Sequence, residues 1–131
     1  MQYPSKEYNP EKHDVFNALT VKQPYAEDLV TASRKDEDGN VYGVKSIEVR
    51  SRNTTYRGDV LICSSRNPVL PDLQSGVTLG LVELYDVKPV SEFTPADWEN
   101  TRIPVEKSAK VTKGYGWLMR GLPVCFQAED G

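Results

Sequence analysis

Residues 77–90 read VTLGLVELYDVKPV, the longest strand candidate in the chain. Valine, leucine and tyrosine favour a pleated, half-buried surface. Gly80 supplies a place where such a strand can bulge or bend, as the wall of a barrel must. Shorter strand segments surround it. ALTVKQ (18–23) is a first strand stopped by Pro24, and KSIEVRS alternates with Ile47 and Val49 on one side and Glu48 and Arg50 on the other. RGDVLICSS follows as a more fully buried strand opened at Gly58, and GYGWLMRGLPVCFQ reads as two strands broken near Gly121-Leu122-Pro123. Some six short strands with few helices predict a mostly β (α+β) domain built on a small closed or nearly closed barrel, because closure removes exposed edges.

Two short helices are expected on it. Pro24 is tolerated in a first helical turn, and Tyr25, Leu29 and Val30 recur at helical spacing, which predicts a helix over 24–33. Thr94 can cap a second helix with Pro95 in its first turn, over about 95–100. Residues 34–40, RKDEDGN, carry turn chemistry and read as a loop. The chain of 131 residues is one domain by size, expected over 17–131 behind a polar, flexible leader over 1–16. That leader lacks the apolar stretch of a secretion signal and no run approaches a membrane span, so a cytoplasmic location without membrane contact is expected.

Cys63 and Cys125 both lie in apolar strand-like runs without metal-ligand spacing, and are read as structural thiols. The one histidine, His13, lies in the leader. No metal or cofactor is expected, and any catalysis falls to Lys, Glu, Asp, Tyr, Ser or Thr. The net charge of −3 argues against indiscriminate binding to nucleic acid or anionic membrane, but it is unevenly spread. Residues 44–67 hold five basic side chains, Lys45, Arg50, Arg52, Arg57 and Arg66, against Glu48 and Asp59, a net of +3. The segments on either side each carry −3. A positive patch on an acidic body suits a small anionic ligand or a short length of nucleic-acid backbone; solvated strand residues are the plain alternative. Trp117 and Tyr115 read as core or cleft wall. Glu83, among apolar neighbours, is open between a cleft and solvent.

Four blocks together, LTVKQPYAEDLV, GVKSIEVRSRNTTYRGDVLICSS, GVTLGLVELYDV and GYGWLMRGLPVCF, resemble the ASCH domain, a PUA-like β-barrel family, over about residues 18–127. The resemblance implies a cleft between the first helix and the barrel that binds RNA or a modified nucleoside or nucleotide. It carries over to Gly43, Lys45, Glu48 and Arg50, with Lys22, Gln23 and Pro24 beside them, and further to Tyr56, Arg57 and Ser65. Tyr25 and Arg52 stand where the family often has tryptophan, and Cys63 where many members have histidine. The segment 34–42 looks longer than usual, either a lid or a decoration of the edge.

Two functional forms follow. As a binder, Arg50 and Lys45 hold a phosphate or base carbonyl, Glu48 accepts from an exocyclic amine, and Tyr25 or Tyr56 stacks on the ring; the partner is then single-stranded RNA or a modified nucleoside or nucleotide. As an enzyme, an amidohydrolase of acylated pyrimidine nucleosides or a ribonuclease, Lys45 is a desolvated general base and Glu48 orients water or the substrate. The resemblance implies that a threonine serves the family's amidohydrolase at the position of Glu48, so water activation would replace an acyl-threonine route. A same-face Glu48–Arg50 ion pair with a purely structural role, and a protein-interaction module, complete the alternatives.

Overall fold

The computed structural model describes residues 17–121. The leader over 1–16, the strand expected beyond Gly121 and Cys125 lie outside the described residues. Five strands form one sheet: β1 (Asn17–Val21), β4 (Ile47–Arg50), β5 (Gly58–Ser64), β6 (Thr78–Pro89) and β7 (Tyr115–Arg120), in the order β1-β5-β6-β7-β4. β1 runs parallel to β5 and every other neighbouring pair is antiparallel. The sheet curls into the half-barrel of a small α+β PUA-like fold. Between β1 and β5 comes helix α1 (Tyr25–Val30), then a separate pair, β2 (Ala32–Lys35) with β3 (Val41–Gly43).

Alternation along the strands creates the core. Val60 and Ile62 of β5, Val82 and Leu84 of β6, and Trp117 and Met119 of β7 turn to one face, and α1 closes it with Ala26, Leu29 and Val30. Curvature enters β6 at two irregularities. The register with β5 slips between Ile62 and Cys63, beside Gly80, where a bend was expected. A second slip, against β7 between Leu84 and Asp86, had no glycine to signal it.

Two boundaries differ from expectation. α1 stops at Val30 rather than 33, because Thr31 is already extended and Ala32 pairs with Gly43. The segment 34–42 is a hairpin: the Asp36 carboxylate accepts from the Asp38 and Asn40 amides (2.9 Å each) and from the Tyr42 hydroxyl (3.0 Å), while Gly39 takes φ +87°. Gly43 then packs so close to α1 that a Cβ would lie 2.7 Å from the Asp28 carbonyl and 2.8 Å from that of Leu29. The second helix, α2 (Pro95–Thr101), carries the expected Thr94 cap as a full capping box with Asp97. A short α3 (Val105–Ser108) follows it. Among the described residues no helix is long and apolar enough to cross a membrane.

Candidate functional site

The curled sheet is open between its outer strands, β1 and β4, and the site lies in that seam. The Val21 carbonyl accepts from the Ser65 amide on the β5 side, so strand alternation turns the Thr20 carbonyl to the open edge. There Arg50 of β4 donates to it from Nη2 at 2.7 Å. A side chain thus spans the gap where a closed barrel would have ladder hydrogen bonds. The seam holds a cavity of about 390 Å³, lined from β1 by Thr20, Val21 and Lys22, from α1 by Tyr25, from the β4 side by Lys45, Glu48, Val49 and Arg50, and completed by Ser65 and Ile103.

Lys45 is 2% exposed although it is charged in its ordinary state. Its ammonium donates to the Thr101 carbonyl at the end of α2 (2.6 Å) and lies 3.2 Å from Glu48 Oε1 and 5.1 Å from the centre of the Tyr25 ring. The helix end supplies an unpaired carbonyl and the negative end of its dipole, a natural seat for a cation. Burial pushes the Lys45 pKa down, and Glu48, by charge and hydrogen bond, works against that shift. Glu48 Oε2 faces Arg50 Nη2 at 3.1 Å, so one carboxylate bridges two cations. Arg50 Nε is buried without a hydrogen-bond partner. Beneath them Asp28 is pushed above the usual carboxylate range by burial, a shift moderated by Arg102 and Lys45.

Of the residues singled out in the sequence, Lys22, Tyr25, Lys45, Glu48, Arg50 and Ser65 come together in the seam. Gln23 and Pro24 do not line it. Gln23 is buried as a strut, its Oε1 accepting from the Glu27 amide (2.9 Å) and its Nε2 donating to the Gln74 carbonyl (2.8 Å). Tyr56 and Arg57 are also elsewhere. Tyr56 donates to the Asp59 carbonyl (2.8 Å) and borders a separate void of about 60 Å³. Arg57 folds back on the carbonyls of Thr54 and Tyr56, with Asp86 at 3.7 Å. They part from Arg50 because residues 51–57 turn away before β5 begins. Arg52 lies over the Trp117 ring, whose Nε1 donates to the Arg52 carbonyl. Glu83 pairs across strands with Arg120 (2.8 Å) and lies outside the cavity. None of the hairpin residues 34–42 lines it either.

Three contributors had no sequence signal: the Thr20 and Thr101 carbonyls and the Ile103 side chain. The two carbonyls act through contacts distant in the chain, Arg50–Thr20 spanning 30 positions and Lys45–Thr101 56, and Ile103 enters as a lining residue. The capped helix α2 was legible, but not which cation its end would meet. Among the described residues no cluster of three or more His, Cys, Asp and Glu side chains is placed to hold a metal ion.

The decisive comparison is with a family model for the ASCH domain, which matches residues 41–120, well over half of the chain. The chain belongs to the ASCH domain family. The match includes the stretch from Gly43 to Arg50 that forms one wall of the seam, and it connects this ASCH domain with RNA binding or a related function. The comparison with curated proteins returned no match.

Proposed function

We propose that the seam of this ASCH domain binds one unpaired nucleotide of RNA or a modified nucleoside or nucleotide. The observation that carries this reading is the charge of the lining. Lys22, Lys45 and Arg50 face a single acid, Glu48, in a cavity of about 390 Å³ that has the Tyr25 ring as one wall. An excess of two positive charges favours a ligand with a phosphate or an electron-rich carbonyl. The volume lies near the lower end of small-ligand sites, which suits one nucleoside rather than a folded RNA surface. Tyr25 offers a stacking face, Arg50 a planar fork for phosphate or carbonyl oxygens, and Glu48 an acceptor for an exocyclic amine.

The test is a thermal-stability titration with the four ribonucleosides, their monophosphates and acylated and methylated cytidines. A ligand at 100 times its dissociation constant adds about 2.7 kcal/mol. Lys45→Met and Glu48→Gln should each weaken that binding, and no shift with any of these ligands overturns the reading.

A second reading, hydrolysis of an acylated pyrimidine nucleoside, is favoured by one observation: a buried lysine with its pKa driven down, in contact with a carboxylate. In that case wild type releases product from acylated cytidine and each of the same two substitutions slows it about 100-fold or more. Binding without product discards this second reading for that substrate.

A further inference from the structure

A second cavity, of about 590 Å³, lies along α2 and α3 and shares a wall with the seam: Ile103 lines both. Its other sides include Trp98, Arg102, Pro104 and Val105, with Glu99 at the edge. One short turn organises the two spaces. The Thr101 carbonyl binds Lys45 in the seam, the Thr101 hydroxyl donates to the Trp98 carbonyl (2.6 Å) and accepts from the Ile103 amide (3.1 Å), and Arg102 between them takes φ +62°, uncommon for an L residue. The Arg102 side chain is exposed and makes no close ion pair among the described residues, although its charge reaches Asp28. Trp98 is half-buried, braced edge-on against Phe93 with ring centres 4.8 Å apart.

We propose that the groove between α2 and α3 is a subsite for the neighbouring nucleotide, so that the preferred ligand is a single strand of two or more nucleotides threaded from the seam past Ile103. The inference rests on the nucleotide reading of the seam. A braced indole gives a base a face to stack on, an exposed guanidinium beside the partition meets the linking phosphate, and Glu99 can accept from a base amine. An acyl chain would use the apolar wall but leave Arg102 idle.

Titration calorimetry of the full chain, with the four ribonucleosides and the matching dinucleoside monophosphates as probes, tests it. The best dinucleoside monophosphate should bind about tenfold or more tighter than its nucleoside, the scale of one stacked base. It should quench tryptophan fluorescence where the nucleoside does not, because Trp117, the other tryptophan, is buried in the core. Trp98→Ala and Arg102→Gln should each remove most of the gain and leave nucleoside affinity unchanged. Should Trp98→Ala fail to fold, Arg102→Gln, at an exposed position, decides alone. Nucleoside binding without a dinucleotide gain, or a gain that survives both substitutions, overturns the subsite while sparing the seam. Binding of neither probe overturns the subsite and leaves the seam to be decided by the monophosphates and modified cytidines.

Discussion

Replacing Glu48 by glutamine should destabilise the domain more than replacing Lys45 by methionine, an asymmetry set by which partner keeps a counter-charge. Without Glu48 the Lys45 ammonium, 2% exposed, keeps the Thr101 carbonyl, the Tyr25 ring face and the weaker pull of Asp28 but loses its nearest counter-charge. Without Lys45, Glu48 retains Arg50 at 3.1 Å and is itself 13% exposed. Removing one partner of a buried pair costs roughly 3–5 kcal/mol, and the remaining carbonyl and the ability of lysine to shed its proton place Glu48→Gln near the lower end, about 3 kcal/mol at pH 7. Lys45→Met removes a desolvated charge together with its hydrogen bonds to the Thr101 carbonyl and Glu48, and should lie within about 1 kcal/mol of wild type.

The pH dependence gives an independent check. The folded-state pKa of Lys45 is depressed below its unfolded value of about 10.4. Between those two values the unfolded chain binds more protons than the folded one, so stability rises with pH, by at most about 1.4 kcal/mol per unit for one group. Glu48 is the main opponent of the depression, so its removal extends that window toward neutral pH, and the deficit of Glu48→Gln relative to wild type shrinks as pH rises from 7 to 10. Urea unfolding followed by circular dichroism across this range measures it. A neutral Glu48→Gln at pH 7, a costlier Lys45→Met, or a deficit independent of pH would mean that counter-charge does not govern this pair.

Gly43→Ala should cost about 1–3 kcal/mol, because the added methyl meets the fixed carbonyls of Asp28 and Leu29 rather than yielding side chains; chemical denaturation measures it, with nucleoside affinity falling as Lys45 is displaced. Arg50→Ala should flatten the logarithmic salt dependence of single-stranded RNA binding by about 0.7, one phosphate contact, whereas Arg57→Ala, outside the seam, should leave it unchanged. The Cys63 thiol is pushed up by burial, so in a Cys125→Ser background it should react with a neutral thiol reagent more slowly in the native state than in urea at pH 8; equal rates would contradict a structural role. Burial raises Tyr85 to about 12, so it should stay protonated through pH 11 in an ultraviolet titration, and Tyr85→Phe should leave the phenolate signal below that pH unaltered.

Much of the fold was legible because it rests on near neighbours in the chain. The strand at 47–50, the Thr94-Pro95 start of α2 and the bend beside Gly80 are local patterns with local causes. The end of α1 was not legible. Thr31 and Ala32 fit a helical continuation, and it is pairing with Gly43, eleven positions on, that makes them extended. The hairpin 32–43 escaped for the same reason, since its strands are short, the first of them is polar, and only the Asp36 turn declares it.

The chemistry of the candidate site is already present in the order of residues: a lysine, a glutamate and an arginine at positions 45, 48 and 50, with an aromatic and a second lysine near the first strand. That these meet across an open seam while Tyr56 and Arg57, seven or fewer positions beyond Arg50, do not is a property of the folded sheet. Spacing along a strand sets the face on which a side chain lies, but the partner of an edge depends on how far the whole sheet curls. That curl is the sum of bulges and packing in β5, β6 and β7, and it alone brings the Thr20 carbonyl within 2.7 Å of Arg50 and the end of α2 over Lys45.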